Sequence, residues 1–287
     1  MKSLHHDDNF ANLIGQFSIR YSETETSPLT KFHVHDAYEA TLILSDDVVL
    51  DVNNESYSVP YGSLLLFNTM DLHCLRYTGK ERYRRWVIWF KQEFLNILDQ
   101  VIFKLFRCFY VRGFEKSNIL TLSKEQCELM CEKYGALKEA TLSQTYMREE
   151  QVKLLLGEFL IYVNGIYIKR NAINATVKAN DYSSFYKSIL YIQENFSSKI
   201  DCTTLAKRVG LDTRKLCENF KSITGLTTGQ FILNFRITAA KNLLIQGYSI
   251  AETCEKTGFE NWSNFSRTFR SHVGISPKQY AMKYRNG

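Results

Sequence analysis

The run from Ile250 to Tyr280, IAETCEKTGFENWSNFSRTFRSHVGISPKQY, reads as a helix, a tight turn at Gly258 and a second helix opened by Asn261. Glycine enters positive φ without steric cost, and an asparagine side chain caps the first free N–H groups of a helix. On the second helix Phe265, Phe269 and Val273 recur every four residues and form one apolar stripe. At about 100° per residue from Phe265, Ser263 falls near 160°, Arg267 near 200° and Arg270 near 140°. Small polar and cationic side chains therefore share the face opposite the stripe. Such a helix-turn-helix unit suits a DNA major groove.

The run has a counterpart upstream. Leu205-Ala206, Gly210, Leu216, Phe220-Lys221, Gly225 and Phe231 return as Thr253-Cys254, Gly258, Phe265, Phe269-Arg270, Gly274 and Tyr280, offset by 48 residues before each second helix and by 49 within and after it. An ordinary helical bundle would not repeat its turn and core positions together, so a duplicated helix-turn-helix is expected, at about residues 203–225 and 250–274. Between the units, Thr228 to Gln246 is expected as one connecting helix ended by Gly247. At 1.5 Å per residue it is a rod of roughly 28 Å, which would set two recognition helices about one DNA turn apart.

Residues 186–285 resemble the DNA-binding domain of the AraC/XylS family of bacterial transcription regulators. The resemblance is carried by Gly258-Phe259, Phe265-Ser266-Arg267-Thr268-Phe269-Arg270, Gly274-Ile275-Ser276-Pro277 and Tyr280. It departs at Cys254, Cys217 and Glu218. On the second recognition helix the expected DNA-facing residues are Trp262, Ser263, Asn264, Ser266, Arg267 and Arg270. Arg267 is the expected guanine reader, and Arg270 is expected on phosphate. On the first, capped by Asp212, they are Arg214, Lys215, Glu218 and Lys221. The two lysines are expected on phosphate, and Glu218 either accepts from a cytosine amino group or faces away.

Charge follows the same division. The chain of 287 residues carries a formal charge of +6, and residues 182–287 hold fifteen Lys/Arg against seven Asp/Glu. The remainder is slightly acidic, so the positive end is the nucleic-acid end. Hydrophobic residues make up 45% and aromatics 14%, a globular composition with room for two domains. The seven cysteines form no CxxC pair, which excludes a zinc ribbon and fits a reducing compartment. With no signal-peptide pattern and no run of eighteen apolar residues, the expected location is the cytoplasm and no membrane partner is expected.

Toward the N-terminus, FSIRY, YEATLIL, VVLDVNN, ESYSV, GSLLLFN, HCLRYT and YRRWVIWF read as short strands, with turn chemistry at Asn53-Asn54 and Pro60-Tyr61-Gly62. Many short strands with polar turns predict a small double-sheet barrel. His33-Val34-His35, Glu39 and His73, with Gly62, Asn68 and Met70 between, resemble the two motifs of the cupin barrels; Asn68 and Met70 stand where proline and glycine are usual. Three imidazoles and a carboxylate could bind a divalent transition metal; the alternatives are that they line a pocket and hydrogen-bond one another or a small polar ligand, or that they serve the structure alone. The second reading is adopted: a ligand pocket of His33, His35, Tyr38, Glu39, His73 and Trp86, with no metal and no cofactor.

The middle of the chain turns helical. Gln92 to Leu98 opens one helix, a second starts at the capping box Ser123/Gln126, and Arg148 to Lys169 carries a wide apolar face of Val152, Leu155, Leu156, Phe159, Leu160, Val163, Ile166 and Tyr167. That face serves core packing or a homodimer seam. Residues 171–183 read as a polar linker, with a helix from Phe185 to Asn195 beyond it.

The expected fold is α+β and multidomain. A cupin-like barrel spans residues 1–115, a helical dimerisation segment and linker 116–182, and an all-α DNA-binding domain 183–287. The expected function is a sequence-specific regulator, tilted toward activation by the resemblance and controlled by a small molecule such as a sugar. Coupling is expected through the helices of residues 122–169 and the linker. Partners would be double-stranded DNA, the effector, a second copy and, as a further candidate, RNA polymerase. The alternative is a metal-dependent cupin enzyme fused to a DNA-binding domain.

Overall fold

The seven strand-like runs fold as strands because each alternates side chains between two faces, at least one of which finds apolar cover. In the computed structural model, residues 11–285 are described except 14, 26–31, 34, 36, 53–54, 70, 99–101, 111–117, 171–178 and 225. The expected turn at Asn53-Asn54, the motif positions Val34 and Met70, the repeat position Gly225 and most of the linker lie outside the described residues.

The strands are β1 (Ala11–Leu13), β2 (Phe17–Thr24), β3 (Tyr38–Ile43), β4 (Val48–Val52), β5 (Glu55–Val59), β6 (Ser63–Phe67), β7 (His73–Tyr77), β8 (Tyr83–Phe90) and β9 (Ile119–Thr121). They form a six-stranded sheet in the order β1-β2-β8-β3-β6-β9 and a three-stranded sheet β5-β4-β7, with every pairing antiparallel. The expected cupin-like, double-sheet barrel is therefore corrected to two stacked open sheets. Each sheet ends on a strand that has little to pair: β1 and β9 are three residues long, and β5 exposes Glu55, Ser56 and Ser58.

Period-two alternation gives the large sheet two buried faces. Ile43, Leu65 and Phe67 face the small sheet and meet its Leu50, Val52 and Leu75. Ala40, Leu42, Leu64, Leu66, Ile88 and Phe90 face the helices.

Beyond β8, the segment expected to open a helix is a 3-10 turn, Gln92–Leu98, kinked at Leu95. The helices that follow are α1 (Ile102–Leu105), α2 (Arg107–Tyr110), α3 (Lys124–Leu142) and α4 (Arg148–Arg170). The capping box holds: Gln126 N donates to Ser123 Oγ and Ser123 N to Gln126 Oε1. In α4 Val152, Leu156, Phe159, Leu160 and Val163 are fully buried. By length and composition α4 would also cross a membrane, but half of that window is buried inside the fold, as in a core helix. Its outer side leaves Leu154 and Ile161 exposed, near exposed Leu142, Tyr146 and Met147.

The C-terminal helices are α5 (Ala179–Asn195), α6 (Cys202–Arg208), α7 (Thr213–Thr224), α8 (Thr228–Gln246), α9 (Ile250–Lys256), α10 (Trp262–Val273) and α11 (Pro277–Arg285). Helix α5 begins inside the stretch expected as linker, so residues 179–183 are helical. Its Tyr186 packs on Phe106, ring centroids 5.7 Å apart. One apolar cluster consequently runs without a break from the large sheet through α3, α4 and α5 into α7 and α8. The expected rod is α8, ended by Gly247 at φ 103° with its N–H on Leu244 O.

Candidate nucleic-acid interface and histidine cluster

Helices α6–α7 and α9–α10 are the two expected units. Their turns match: Gly210 has φ 73° and Gly258 φ 72°. Asp212 receives Lys215 N at 2.8 Å, and Asn261 receives Asn264 N at 2.8 Å, so each recognition helix is capped by the residue the sequence marks. Leu216, Phe220 and Ile223 in α7, and Phe265, Phe269 and Val273 in α10, are buried. The opposite faces are open.

On α10 Trp262, Ser263, Asn264, Arg267 and Arg270 are exposed and Ser266 is half-buried. Trp262 is 58% exposed, too much for a core residue, so its indole is available to a partner surface. On α7 Arg214, Glu218 and Lys221 are exposed and Lys215 is half-buried. Glu218 does not stand alone: Arg214 Nε donates to its Oε1 at 2.9 Å, one turn back along the helix. The pair cancels within itself, so Lys215 and Lys221 carry the net charge of this face, as Arg267 and Arg270 do on α10.

The two units are also fastened to each other. Arg236 of α8 donates to Phe196 O at 2.9 Å and to Ser198 O at 2.7 Å, pinning the α5–α6 loop. A Cβ on Gly258 would stand 2.7 Å from the carbonyl oxygens of Phe196 and Ser197, whereas one on Gly210 would meet nothing within 4 Å. Gly258 is thus required twice, by φ and by the backbone of the other unit.

Of the six residues expected in the N-terminal pocket, the structure brings four together. Ligand atoms of His33, His35, Glu39 and His73 all lie within 4.8 Å of one another at one end of the intersheet layer. The ring centroids of His33 and His73 are 4.4 Å apart, those of His33 and His35 4.8 Å, and those of His35 and His73 5.5 Å. His33 and His73 exchange both backbone hydrogen bonds at 3.0 Å, an isolated antiparallel bridge. Burial opposes ionisation of Glu39, but the imidazoles of His35 and His73 outweigh it and hold the carboxyl well below the usual carboxylate range.

Tyr38 and Trp86 are not in the cluster, which corrects the expected pocket. Tyr38 neighbours Glu39 in β3 and so points to the other face, where its hydroxyl meets that of Tyr110 at 2.6 Å among Phe90, Phe106 and Phe109. Trp86 packs on Tyr21 and Tyr134 on that same helical side. The tryptophan at the cluster is Trp89, whose Nε1 donates to Glu39 Oε2 at 2.6 Å and whose ring lies 5.0 Å from that of His35. Counting three residues along β8 from Trp86 would have found it, because odd steps change the face. Asn68 has a structural role, donating to Phe109 O at 2.9 Å.

The cluster touches the DNA-binding region directly. Phe32, one residue before His33, and Leu72, one before His73, pack into the apolar cluster of the second unit with Ile237, Leu244, Phe269 and Tyr280. A second contact is polar: Gln193 of α5 donates to Thr69 Oγ1 at 3.0 Å. These contacts bypass both the linker and helices α3 and α4.

A helix-turn-helix domain family matches residues 205–283. An uncharacterized HTH-type transcriptional regulator of Pseudoalteromonas carrageenovora is 33% identical over 93 residues, 32% of this chain and 55% of that protein. This chain thus spans about half the length of that relative. The HTH-type transcriptional activator RhaS of Escherichia fergusonii is 20% identical over 258 residues, 86% of each protein. Among solved structures, ToxT of Vibrio cholerae aligns over 94% of this chain and 99% of its own at 17% identity, with a TM-score of 0.49. The relatives named here are transcription regulators, not enzymes. With its turns and capped recognition helices, the C-terminal region is similar to the helix-turn-helix domains of these transcription regulators.

Proposed function

We propose that the protein is a sequence-specific transcription regulator, acting as an activator, in which α7 and α10 enter successive major grooves on one face of DNA. The observation that carries this reading is the exposed cationic face of α10, opposite a buried Phe265/Phe269/Val273 stripe. Arg267 reads a guanine edge. Arg270, Lys215 and Lys221 neutralise phosphates, and Trp262, Ser263, Asn264 and Ser266 complete the surface. The Arg214–Glu218 pair opens on binding, so that Arg214 meets phosphate and Glu218 meets a cytosine amino group. Selection of bound sequences from a random DNA pool by the full chain tests the proposal. Enrichment of a bipartite motif with its halves about one helical turn apart is expected; binding without enrichment would overturn it.

A small molecule held near His33, His35, Glu39 and His73 controls this binding, with residues 1–115 as sensor, 116–182 as helical segment and 183–287 as reader. A sugar or similar polyol is compatible with the donors and acceptors there. Phe32 and Leu72 transmit occupancy, because a ligand that tightens the His33–His73 bridge changes how the adjacent side chains seat the second unit. Exposed Leu154 and Ile161, two turns apart on α4, face a second copy of the chain in a homodimer. Sedimentation tests that last point: Leu154→Glu with Ile161→Glu is expected to convert dimer to monomer, and an unchanged sedimentation coefficient would remove α4 from the seam.

A further inference from the structure

The seven cysteines make no CxxC pair, yet two of them, Cys127 and Cys131, stand one turn apart on α3. Residues at i and i+4 share a helix face, with Cβ atoms about 5–6 Å apart. On that face the two thiols are hydrogen-bonded to each other. Cys127 is 5% exposed and closes on the turn that opens β6, where a Cβ on Gly62 would stand 3.6 Å from its Sγ. Cys131 is half-buried and gives the pair its outlet to solvent. Tyr61, 52% exposed, holds its hydroxyl within electrostatic reach of both sulfurs. The other five cysteines share no helical turn: Cys202 and Cys217 belong to α6 and α7, and Cys74, Cys108 and Cys254 to three further elements.

The placement separates the chemistries open to a thiol pair. A disulfide needs Cβ atoms about 3.5–4.5 Å apart, so closing one here would pull the helical turn out of shape. Attack on a peroxide or an alkylating agent needs a thiolate. Burial pushes both thiols up, Cys131 to about 11, and the neighbouring thiol and Glu128 add to the effect at Cys131, so both stay protonated at neutral pH. A structural zinc ion takes four ligands, of which two thiols supply half. Condensation with a trivalent centre that carries oxygen has none of these obstacles. One bridging atom with bonds of about 2.3 Å at a tetrahedral angle sets two sulfurs about 3.7 Å apart, close to the separation of hydrogen-bonded thiols. Each thiol hydrogen then departs on oxygen, so no thiolate has to persist.

We propose that Cys127 and Cys131 form a binding site for one trivalent arsenical, bridged between their two sulfurs on α3. In the step two bonds from arsenic to oxygen and two S–H bonds break, two As–S bonds form, and the oxygen leaves as water. Arsenic remains trivalent, so no oxidant or reductant enters. The third substituent of arsenic has its outlet on the half-buried Cys131 side. The bridge staples one turn of a helix that is already folded, and for that reason binding stabilises the native protein. The site stands independently of the regulator reading above.

The test titrates the reduced full chain with phenylarsine oxide in native buffer, read by intact mass, thiol counting and thermal melting. Addition of one reagent less one water is expected, with loss of both thiols from the count and a raised melting temperature. Cys127→Ser and, separately, Cys131→Ser should each weaken binding at least about 100-fold, because the second As–S bond forms within one molecule. Both variants are checked by circular dichroism, and Cys131→Ser, at the half-buried position, decides the matter if Cys127→Ser does not fold. The double variant Cys202→Ser, Cys217→Ser should bind as the parent does. Failure to add one reagent, parent-like binding by Cys131→Ser, or loss of binding in the Cys202, Cys217 double variant overturns the site. A lowered melting temperature also overturns it, since the reagent would then be reacting with the unfolded chain.

Discussion

Phe32 stands edge-on to Tyr284, ring centroids 5.2 Å apart, so the residue beside the histidine cluster touches the last helix of the DNA-binding region. Edge-to-face aromatic contacts are worth about 0.5–1.5 kcal/mol beyond the area they bury. Phe32→Ala is therefore expected to leave the DNA affinity of the effector-free protein within about 10-fold and to abolish most of its response to whatever occupies the cluster. Anisotropy titrations with and without the occupant check this. A full response from Phe32→Ala would move the coupling to the Gln193–Thr69 contact or to the helices.

Arg267 and Lys221 occupy different parts of the proposed interface, and their loss should read differently. Arg267→Ala is expected to relax preference at one base pair at a cost of about 1–3 kcal/mol, whereas Lys221→Ala weakens all sequences alike and lowers the salt slope by about one. Binding measured across operator variants and salt concentrations separates the two. Equal loss of specificity from both substitutions would reject the assignment.

Gly258 and Gly210 share a turn conformation but not an environment. Gly210→Ala is expected to cost about 1–2 kcal/mol, the penalty of a left-handed backbone for a residue with a Cβ. Gly258→Ala adds overlap with the Phe196 and Ser197 carbonyls, and a cost above about 3 kcal/mol is expected. Urea denaturation of the two variants provides the comparison, and similar midpoints would mean that the α5–α6 loop yields.

On the small sheet Arg76 grips Asp51, with Nε 2.5 Å from Oδ2 and Nη2 2.9 Å from Oδ1, and the guanidinium holds the Asp51 carboxyl below its usual range. A depressed carboxyl contributes stability above its unfolded value, near 3.9, and loses it as pH falls through the lower folded value. Arg76 is 45% exposed, so solvent screening limits the contribution to about 0.5–1 kcal/mol. Asp51→Asn should be less stable than the parent by that amount at pH 7, with the difference shrinking as pH falls below about 3.9 toward the lower folded value. Thermal melts across that range check the sign.

Much of the helical region was legible because its signals are local. Ser123, Asp212, Asn261 and Gly247 each act within one turn of their own position, and each holds the role its type implies. Whether two sheets close depends instead on edges that meet only in three dimensions, and the polar run ESYSV that leaves β5 as an open edge looked like any surface strand. Tyr38 and Trp86 miss the cluster for a simpler reason: each stands an odd number of residues from the position that faces it, Glu39 and Trp89 respectively, and the pleat turns odd steps to the other side.

Arg236, clamped on the Phe196 and Ser198 carbonyls with Gly258 pressed against the same loop, leaves the two recognition helices little freedom to slide or swivel separately. On the proposed reading the protein would then work as a fixed gauge. One base pair inserted between the two half-sites moves the second by about 3.4 Å along the DNA axis and rotates it by roughly 34°. A flexible pair of readers would absorb that shift, whereas this pair would have to give up one groove, so operators for this protein are constrained in the length of their unread spacer as strictly as in the bases they present.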